Sequence, residues 1–349
     1  MNMTDGNITT THPIVTGDGH TITVEHVERR STAPPGKGPV LLVHGAGVRA
    51  NIFRPPVEST LVDTLLDAGY DVWLENWRAS IDLPPCEWTL DDGASFDHPA
   101  AVQKVLARTR ADSLQAIVHC QGSTSFTMSA VAGLLPGVRT IISNAVSLHP
   151  VIPRVSKIKI GVAAPLLSLI TPYMNPAWGD APPNLLARAI RAVVRMTHRE
   201  CSNDVCRMVS FTYGTGFPCL WSHDNLDADT HDWIRREFAA VPFTFFAQMR
   251  RSVARGHMVP ARRASTLPPD LATAVPKTDA RFVLLAGRRN LCFLPESQQR
   301  TFEHLDRHQP GRHRLHVFDD YGHLDVFIGQ RAAHDIFPTI LEALEPGAH

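Results

Sequence analysis

The residue of this chain best placed for covalent chemistry is Cys120. It follows the apolar run Leu114–Val118 and precedes three small residues, Gly-Ser-Thr, at 122–124. This order predicts a short buried strand, a sharp turn and then a helix through Val131, with Cys120 exposed on the turn. Unpaired N–H groups at the helix start favour a thiolate, so we expect a nucleophile. The alternative is an ordinary buried cysteine that ends a core strand.

Two backbone N–H groups are predicted to bind the negative oxygen that forms when a sulfur attacks an acyl carbonyl. One belongs to Gln121, which directly follows the nucleophile. The other belongs to Ala46, because the apolar run Pro39–Val43 ends in the glycine turn His-Gly-Ala-Gly. We therefore expect an oxyanion hole formed by the amides of Gln121 and Ala46.

A histidine and an amide complete the predicted catalytic group. His323 follows the strand-like segment Leu315–Phe318, and Asn290 follows the strand-like segment Phe282–Ala286. His323 would hold and transfer the proton of the sulfur, and Asn290 would orient the imidazole. A thiolate can pair with a protonated histidine before substrate arrives, so a neutral amide beside it is sufficient. The sequence thus predicts a Cys-His-Asn triad with an ion pair between Cys120 and His323.

Several neighbouring groups could take over these roles, but each has a structural explanation that we favour. Hydroxyls that follow the turn usually bond to the helix backbone, which applies to Ser123 and Ser125. Three carboxylates near His323 are expected in a solvated loop or a structural hydrogen bond: Asp319, Asp320 and Asp325. Two histidines beside the turns are expected to shape the loops: His44 and His119.

These segments resemble the acid-lipase branch of the α/β-hydrolases, and more closely the bacterial hydrolase modules fused to flavin-dependent sterol oxidases of the GMC type. The resembling stretches are Leu41–Gly45, Leu66–Arg78, His119–Ser123 and His323–Phe327. The resemblance implies an α/β-hydrolase fold, with a mostly parallel central sheet flanked by helices and a helical cap insertion. Acid lipases have serine where this chain has Cys120 and aspartate where it has Asn290. A cysteine nucleophile is found in polyhydroxyalkanoate synthases and dienelactone hydrolases.

Strand-like and helix-like segments alternate in the first part of the chain, which independently predicts a parallel sheet covered by helices. Residues 12–30 predict one or two antiparallel leading strands, and a helical pattern occupies 332–344. From 151 to about 276 the alternation stops, and proline, aromatic residues and arginine are frequent. We expect an α/β-hydrolase core formed by residues 12–150 and 277–349, with residues 151–276 as a helical cap over an apolar pocket.

Composition excludes several classes of partner. The 349 residues include 34 basic and 34 acidic ones, which argues against nucleic acid as a partner. The apolar stretch at 160–170 is shorter than the roughly 20 residues that span a bilayer, so no membrane span is expected. The first ten residues lack the pattern of a signal peptide, and six cysteines in that context suggest the cytoplasm. No nucleotide fingerprint is present, so no cofactor is expected.

Three cysteines of the predicted cap raise the question of a metal: Cys201, Cys206 and Cys219. The Cys-x4-Cys spacing lacks a second paired cluster, which zinc sites of this kind usually have. We therefore expect packed thiols and no metal site.

Together these features predict an acyl-transfer enzyme that forms a covalent thioester on Cys120. The substrate would be a hydrophobic ester or thioester, with an acyl group that coenzyme A or an acyl-carrier protein could carry. The sequence leaves open whether the enzyme is a thioesterase, an esterase or an acyltransferase, because the outcome depends on how dry the pocket is. Two alternatives are a cyclase or lyase of the same fold that uses His323 as a base, and an inactive binding module. The sequence does not indicate the oligomeric state.

Overall fold

The computed structural model describes residues 6–30, 36–214, 218–262 and 266–345. The strands within these ranges are β1 (Asn7–Val15), β2 (Thr21–Arg29), β3 (Pro39–Val43), β4 (Asp71–Asn76), β5 (Leu114–His119), β6 (Val138–Asn144), β7 (Tyr173–Met174), β8 (Val241–Pro242), β9 (Arg281–Gly287) and β10 (Arg314–Phe318).

Eight of these strands form one sheet in the order β1-β2-β4-β3-β5-β6-β9-β10. The pairs β1–β2 and β2–β4 are antiparallel, and the other neighbours are parallel. Strands β3 and β5 are buried along their whole length. Continuous burial explains why their sequences are apolar runs rather than alternating patterns, since both faces of a parallel sheet are covered. The leading antiparallel strands and the parallel sheet agree with the sequence prediction.

Helices cover the sheet and also occur in the segment between β6 and β9. They are α1 (Leu61–Asp67), α2 (Leu90–Asp92), α3 (His98–Thr109), α4 (Cys120–Val131), α5 (Arg154–Ile158), α6 (Ala164–Ser168), α7 (Leu185–Thr197), α8 (Asp204–Tyr213), α9 (Ala228–Trp233), α10 (Phe243–Arg255), α11 (Pro295–His308), α12 (Asp325–Ile328), α13 (Ala332–Asp335) and α14 (Phe337–Leu344).

The helical pattern at 332–344 forms two helices, α13 and α14, rather than one. Pro338 lies in the first turn of α14. Proline has no N–H to donate and its ring clashes with the carbonyl four residues earlier, so it begins a helix well but interrupts one that precedes it. The break at Ile336 follows from this.

The parallel strands end at one edge of the sheet, and the loops at this edge carry the predicted catalytic group. The register pairs His119 of β5 with Asn144 of β6, and Gly287 of β9 with Phe318 of β10. Because parallel strands have their carboxyl ends at the same edge, the residues that follow β3, β5, β9 and β10 meet there.

Residues 145–280, here named the insert, lie between β6 and β9 and outside the main sheet. The insert contains α5 to α10 and the antiparallel pair β7–β8, in which Met174 pairs with Val241. A second, smaller hydrophobic cluster lies within it, made of Met174, Trp178, Ala187, Ile190, Val194, Met208 and Phe243. None of the helices in the described ranges has the length and apolar character that crossing a membrane requires.

Candidate active site

Cys120 occupies a strained turn between β5 and α4. Its φ is +56°, a left-handed value that residues with a side chain seldom adopt. Two glycines make room for the turn. A Cβ on Gly122 would lie 2.1 Å from the carbonyl oxygen of His44, and a Cβ on Gly45 would lie 2.8 Å from the Cβ of Cys120. The strained backbone places Cys120 on the turn at the sheet edge, as predicted, but the residue is 7% exposed and therefore buried, so the prediction that it is exposed is wrong.

Both predicted oxyanion donors converge on the sulfur. The backbone N–H groups of Gln121 and Ala46 lie close enough to Cys120 Sγ to lower the pKa of its thiol. Tyr213, which sequence reasoning missed, donates its hydroxyl proton to the carbonyl oxygen of Ala46 at 2.9 Å. The loop is also held by the N–H of Gly47, which donates to the carbonyl of Ala79 at 3.2 Å. These contacts hold the Ala46–Gly47 peptide, which directly follows the Ala46 N–H.

His323 and Asn290 lie beside Cys120, as the order of the segments predicts. A ring nitrogen of His323 lies within 4.8 Å of Cys120 Sγ. Asn290 Nδ2 lies 3.1 Å from His323 Nδ1. His323 Nε2 is buried and has no hydrogen-bond partner among the described residues. It is therefore the nitrogen available to the sulfur or to a substrate.

The orientation of the Asn290 amide fixes the tautomer of His323. Asn290 Oδ1 accepts hydrogen bonds from the backbone N–H groups of Cys292, at 3.0 Å, and Phe293, at 3.1 Å. These two donors hold the oxygen, so Nδ2 must face the imidazole. An amide nitrogen only donates, so His323 Nδ1 accepts and the proton of the neutral ring lies on Nε2. This polarity is the reverse of a triad in which Nδ1–H donates to the orienting residue.

The pKa shifts of Cys120 and His323 do not favour the expected thiolate–imidazolium pair in the free protein. Burial raises the pKa of the Cys120 thiol to about 12, although the amides of Gln121 and Ala46 lower it. Burial lowers the pKa of His323 to about 3. The desolvation of the thiolate outweighs its stabilisation by the N–H groups at the start of the helix. Asn290 Nδ2 is a hydrogen-bond donor and cannot stabilise a charged imidazole ring. The two groups therefore rest as a thiol and a neutral imidazole.

Asn144 and His119 contact His323 and help to position its imidazole. Sequence reasoning did not identify Asn144. Asn144 Nδ2 donates to the backbone carbonyl of His323 at 2.9 Å and lies 2.9 Å from His119 Nδ1. The rings of His119 and His323 meet edge to face with centroids 4.9 Å apart. The position of Asn144 at the end of β6 is the signal that could have revealed it, because polar residues at strand ends reach this edge.

The carboxylates near His323 have structural roles. Asp319 and Asp320 are exposed and form ion pairs with Arg288 and Arg289, each at 2.5 Å. Asp325 is buried and accepts from the N–H of Gly322 at 2.8 Å and from that of Ser222 at 3.1 Å. Burial raises the pKa of Asp325 to about 6. Asp325 therefore holds the His323 loop.

The rival serine nucleophiles are inaccessible. Ser123 Oγ lies 2.5 Å from Ser143 Oγ and is buried. Ser125 Oγ lies 2.6 Å from His98 Nε2, and His98 Nδ1 lies 2.8 Å from Glu75 Oε1. This second Ser-His-carboxylate chain has 0% exposure throughout, so no substrate reaches it. It connects α4, α3 and β4 inside the core.

Cys120 and Gln121 line a pocket that contains about 860 Å³ of empty space, part of it open to solvent. The other lining residues come mainly from the insert and are mostly apolar, among them Leu167, Met174, Phe211, Phe243, Phe245 and Phe246. Lys159 is the one charged residue among the described lining residues. Its ammonium group donates to the carbonyls of Phe211 and Gly214, and burial lowers its pKa to about 8.

A second thiol, Cys292, also lines this pocket. A hydrogen bond with Cys219 and burial raise its pKa well above the ordinary value, so it rests as a thiol. One donor atom from each of His119, Cys120 and His323 lies within 4.8 Å of the others, a spacing that could hold a metal. The backbone N–H groups of Gln121 and Ala46 also lie close to Cys120 Sγ.

Comparison with known proteins points to lipases and esterases, although no family model matches the chain. Lipase lipl-1 of Caenorhabditis elegans is 32% identical over 129 residues, which is 32% of either chain. The aligned stretch thus spans about a third of the length of the curated lipases it matches. Triacylglycerol lipase 1 of Arabidopsis thaliana is 22% identical over 95% of this chain and 86% of its own length.

Solved structures share the architecture at low sequence identity. A thermophilic esterase from Thermogutta terrifontis superimposes with a TM-score of 0.56 and 15% identity, over 96% of this chain and 100% of that chain. Its likeness concerns the fold. The predicted fold class is confirmed: this chain has the α/β-hydrolase fold.

Proposed function

We propose that the protein is an acyl-transfer enzyme that processes a hydrophobic ester or thioester through a covalent acyl thioester on Cys120. One observation carries the proposal: Cys120 stands on a strained turn in the wall of an apolar pocket, with the backbone N–H groups of Gln121 and Ala46 close to its sulfur. Amides in this position stabilise a developing oxyanion by about 3 kcal/mol each in comparable sites. The likeness to lipases and esterases supports ester chemistry.

The reaction would follow from this geometry in two stages. The sulfur of Cys120 attacks the acyl carbonyl, a carbon–sulfur bond forms, and the bond to the leaving alcohol or thiol breaks. The thiol proton passes through His323 Nε2 to the leaving group. Water or an acceptor alcohol then attacks the thioester and gives its proton to His323. The carbon–sulfur bond breaks, the acid or ester product leaves, and His323 passes the proton to the sulfur to restore the thiol.

His323 accepts a proton on Nε2 only in its other tautomer, with a proton on Nδ1. That proton would face Nδ2 of Asn290, and the existing hydrogen bond at 3.1 Å would be lost. Losing this hydrogen bond, and placing the N–H donors of Asn290 and His323 against each other, costs about 1–3 kcal/mol. Asn290 therefore restrains the basicity of His323. The intrinsic nucleophilicity of sulfur compensates, because a cysteine needs less help from a base than a serine does.

The pocket and its surroundings favour a neutral, apolar acyl group. The stretch 154–170 lines the pocket through Ile160, Ala163 and Leu167. It also exposes apolar side chains to solvent, including Ile158 at 66% and Leu169 at 83%. A surface of this kind suits contact with a poorly soluble substrate. In this proposal the insert acts as the cap, and a coenzyme A or acyl-carrier group would remain outside the pocket.

A chain-length series tests the proposal. Chromogenic esters and acyl thioesters with short to long acyl chains are mixed with the protein, and released product and intact mass are followed together. We expect a burst of product, a mass increase equal to the acyl group, and higher kcat/KM for longer chains until the pocket is filled. Cys120→Ala should abolish both signals. Turnover by Cys120→Ala at the wild-type rate, with loss in His323→Ala, would overturn the covalent route and favour the cyclase or lyase alternative.

A further inference from the structure

Two cysteines and two histidines of the insert converge at a site that the proposed reaction does not use. One donor atom from each of Cys201, Cys206, His223 and His231 lies within 4.8 Å of the other three. Cys206 Sγ lies 3.4 Å from His223 Nε2. The two imidazole rings are nearly perpendicular, at 89°, with centroids 4.8 Å apart. The four side chains therefore point toward a common centre.

The spacing and chemistry of these donors fit zinc. Zinc bound to sulfur at about 2.3 Å and to nitrogen at about 2.0 Å sets neighbouring ligand atoms roughly 3.3–3.8 Å apart in a tetrahedron. The distance of 3.4 Å between Cys206 and His223 falls in this range. His231 Nε2 is buried and has no hydrogen-bond partner among the described residues, which is costly for an imidazole nitrogen unless something binds it.

We propose that Cys201, Cys206, His223 and His231 bind one zinc ion in a closed, structural Cys2His2 site. The expectation of packed thiols grouped Cys201 and Cys206 with Cys219. In the structure Cys219 is a free cysteine that lies close to Cys292 instead, and the two histidines take its place beside Cys201 and Cys206. Sequence spacing concealed the site because the histidines follow on two separate short helices rather than in a paired motif.

Local contacts position the segments that carry Cys201, Cys206 and His231 without the ion. Asn203 begins α8, where its Oδ1 accepts from the N–H groups of Val205, at 3.0 Å, and Cys206, at 3.1 Å. Its Nδ2 donates to the carbonyl of His231 at 2.7 Å, which joins α8 to α9. Cys201 Sγ lies 3.7 Å from the carbonyl of Asn203. Such contacts orient metal ligands in known sites.

The zinc ion would stabilise the part of the insert that contacts the loop carrying His323. The carbonyl of Leu220 accepts from the N–H groups of His323, at 3.1 Å, and Leu324, at 2.8 Å. The N–H of Ser222, next to the ligand His223, donates to Asp325 at 3.1 Å. Four protein ligands leave no open position for a substrate, so the role is structural. This inference does not depend on the proposed acyl transfer.

Metal analysis of the full chain tests the site directly. The protein is produced with zinc in the medium, desalted, and its metal content is measured by mass spectrometry. We expect one zinc per chain in the wild type and none in Cys206→Ser or His231→Ala. Cys120→Ser, at the other cluster of candidate ligands, should retain the ion, as should Cys86→Ser. A wild type that binds no added zinc, or zinc that is lost with Cys120→Ser but kept in Cys206→Ser, would overturn the proposal.

A second measurement covers the case in which the Cys206 variant does not fold. A strong chelator removes zinc from the wild type, and cobalt(II) is then added. We expect chelation to lower the unfolding temperature, zinc to restore it, and bound cobalt to show the visible spectrum of tetrahedral thiolate coordination. No cobalt spectrum, or an intact mass showing that Cys201 and Cys206 are joined in a disulfide in the purified protein, would contradict the site.

Discussion

Replacing Asn290 with aspartate should accelerate acylation, because it reverses the polarity of the contact with His323. One carboxylate oxygen can keep the bonds from the Cys292 and Phe293 N–H groups, at 3.0 and 3.1 Å. The second oxygen then takes the position of Nδ2, 3.1 Å from His323 Nδ1. A carboxylate only accepts, so the ring proton moves to Nδ1 and the lone pair on Nε2 becomes available to the thiol.

The size of the effect follows from these contacts. The substitution removes a tautomer cost of about 1–3 kcal/mol, which corresponds to an acylation rate about 5- to 150-fold higher. A neighbouring carboxylate also raises the pKa of a histidine by about 1–3 units, opposing the desolvation that now holds the pKa of His323 at about 3. The acid limb of the pH–rate profile should move to higher pH by a similar number of pH units.

Stopped-flow acylation with a chromogenic ester, measured across pH, checks this prediction. Asn290→Ala is the matched control: it removes the donor without supplying an acceptor, so it should not be faster than Asn290→Asp. Thermal unfolding of each variant reports whether the buried carboxylate disturbs the fold. An aspartate variant slower than the wild type, with unchanged stability, would refute the tautomer assignment and would mean that the amide oxygen of Asn290 already faces the ring.

Three further predictions concern the turn, the oxyanion loop and acid stability. Tyr213→Phe removes the 2.9 Å hydrogen bond to the Ala46 carbonyl in the oxyanion loop. In steady-state kinetics, kcat should fall about 2- to 10-fold with little change in KM. An unchanged kcat would contradict this prediction. Gly122→Ala puts a Cβ 2.1 Å from the carbonyl of His44, so denaturant unfolding should show a loss of about 1–3 kcal/mol, whereas Gly36→Ala, with nothing within 4 Å, should be neutral. Burial lowers the pKa of His44 and His323 from 6.5 to about 3, so below pH 6.5 the unfolded chain gains protons that the folded one does not. The free energy of unfolding should therefore decrease as the pH is lowered, by up to about 1.4 kcal/mol per pH unit for each histidine. Buried carboxyls of raised pKa offset this decrease in part. Urea midpoints that stay level from pH 7 to 5 would count against the prediction.

The sequence predicts much of the fold because its signals are local. Apolar runs at β3 and β5 mark buried parallel strands, and the small residues after Cys120 mark the turn. Residues that follow strands of one parallel sheet must meet at one edge, so the proximity of Asn290 and His323 could be expected from chain order alone.

The protonation states could not be predicted in this way. They depend on complete burial of Cys120 and His323 and on two backbone N–H groups that turn the Asn290 amide, and none of these leaves a pattern in the sequence. The grouping of His223 and His231 with two cysteines is equally hidden, because it arises from how the short segments of the insert fold together.

Peptide mapping of a quenched reaction tests the central claim most directly. The protein is mixed with a long-chain acyl thioester, stopped in acid and digested, and the acylated peptide is sequenced by tandem mass spectrometry; Cys292→Ala is run in parallel, because that thiol lines the same pocket. The acyl group should be found on Cys120 in both proteins, and should disappear when hydroxylamine cleaves the thioester. Acylation confined to Cys292, or turnover with no acylated cysteine at any time, would contradict the account.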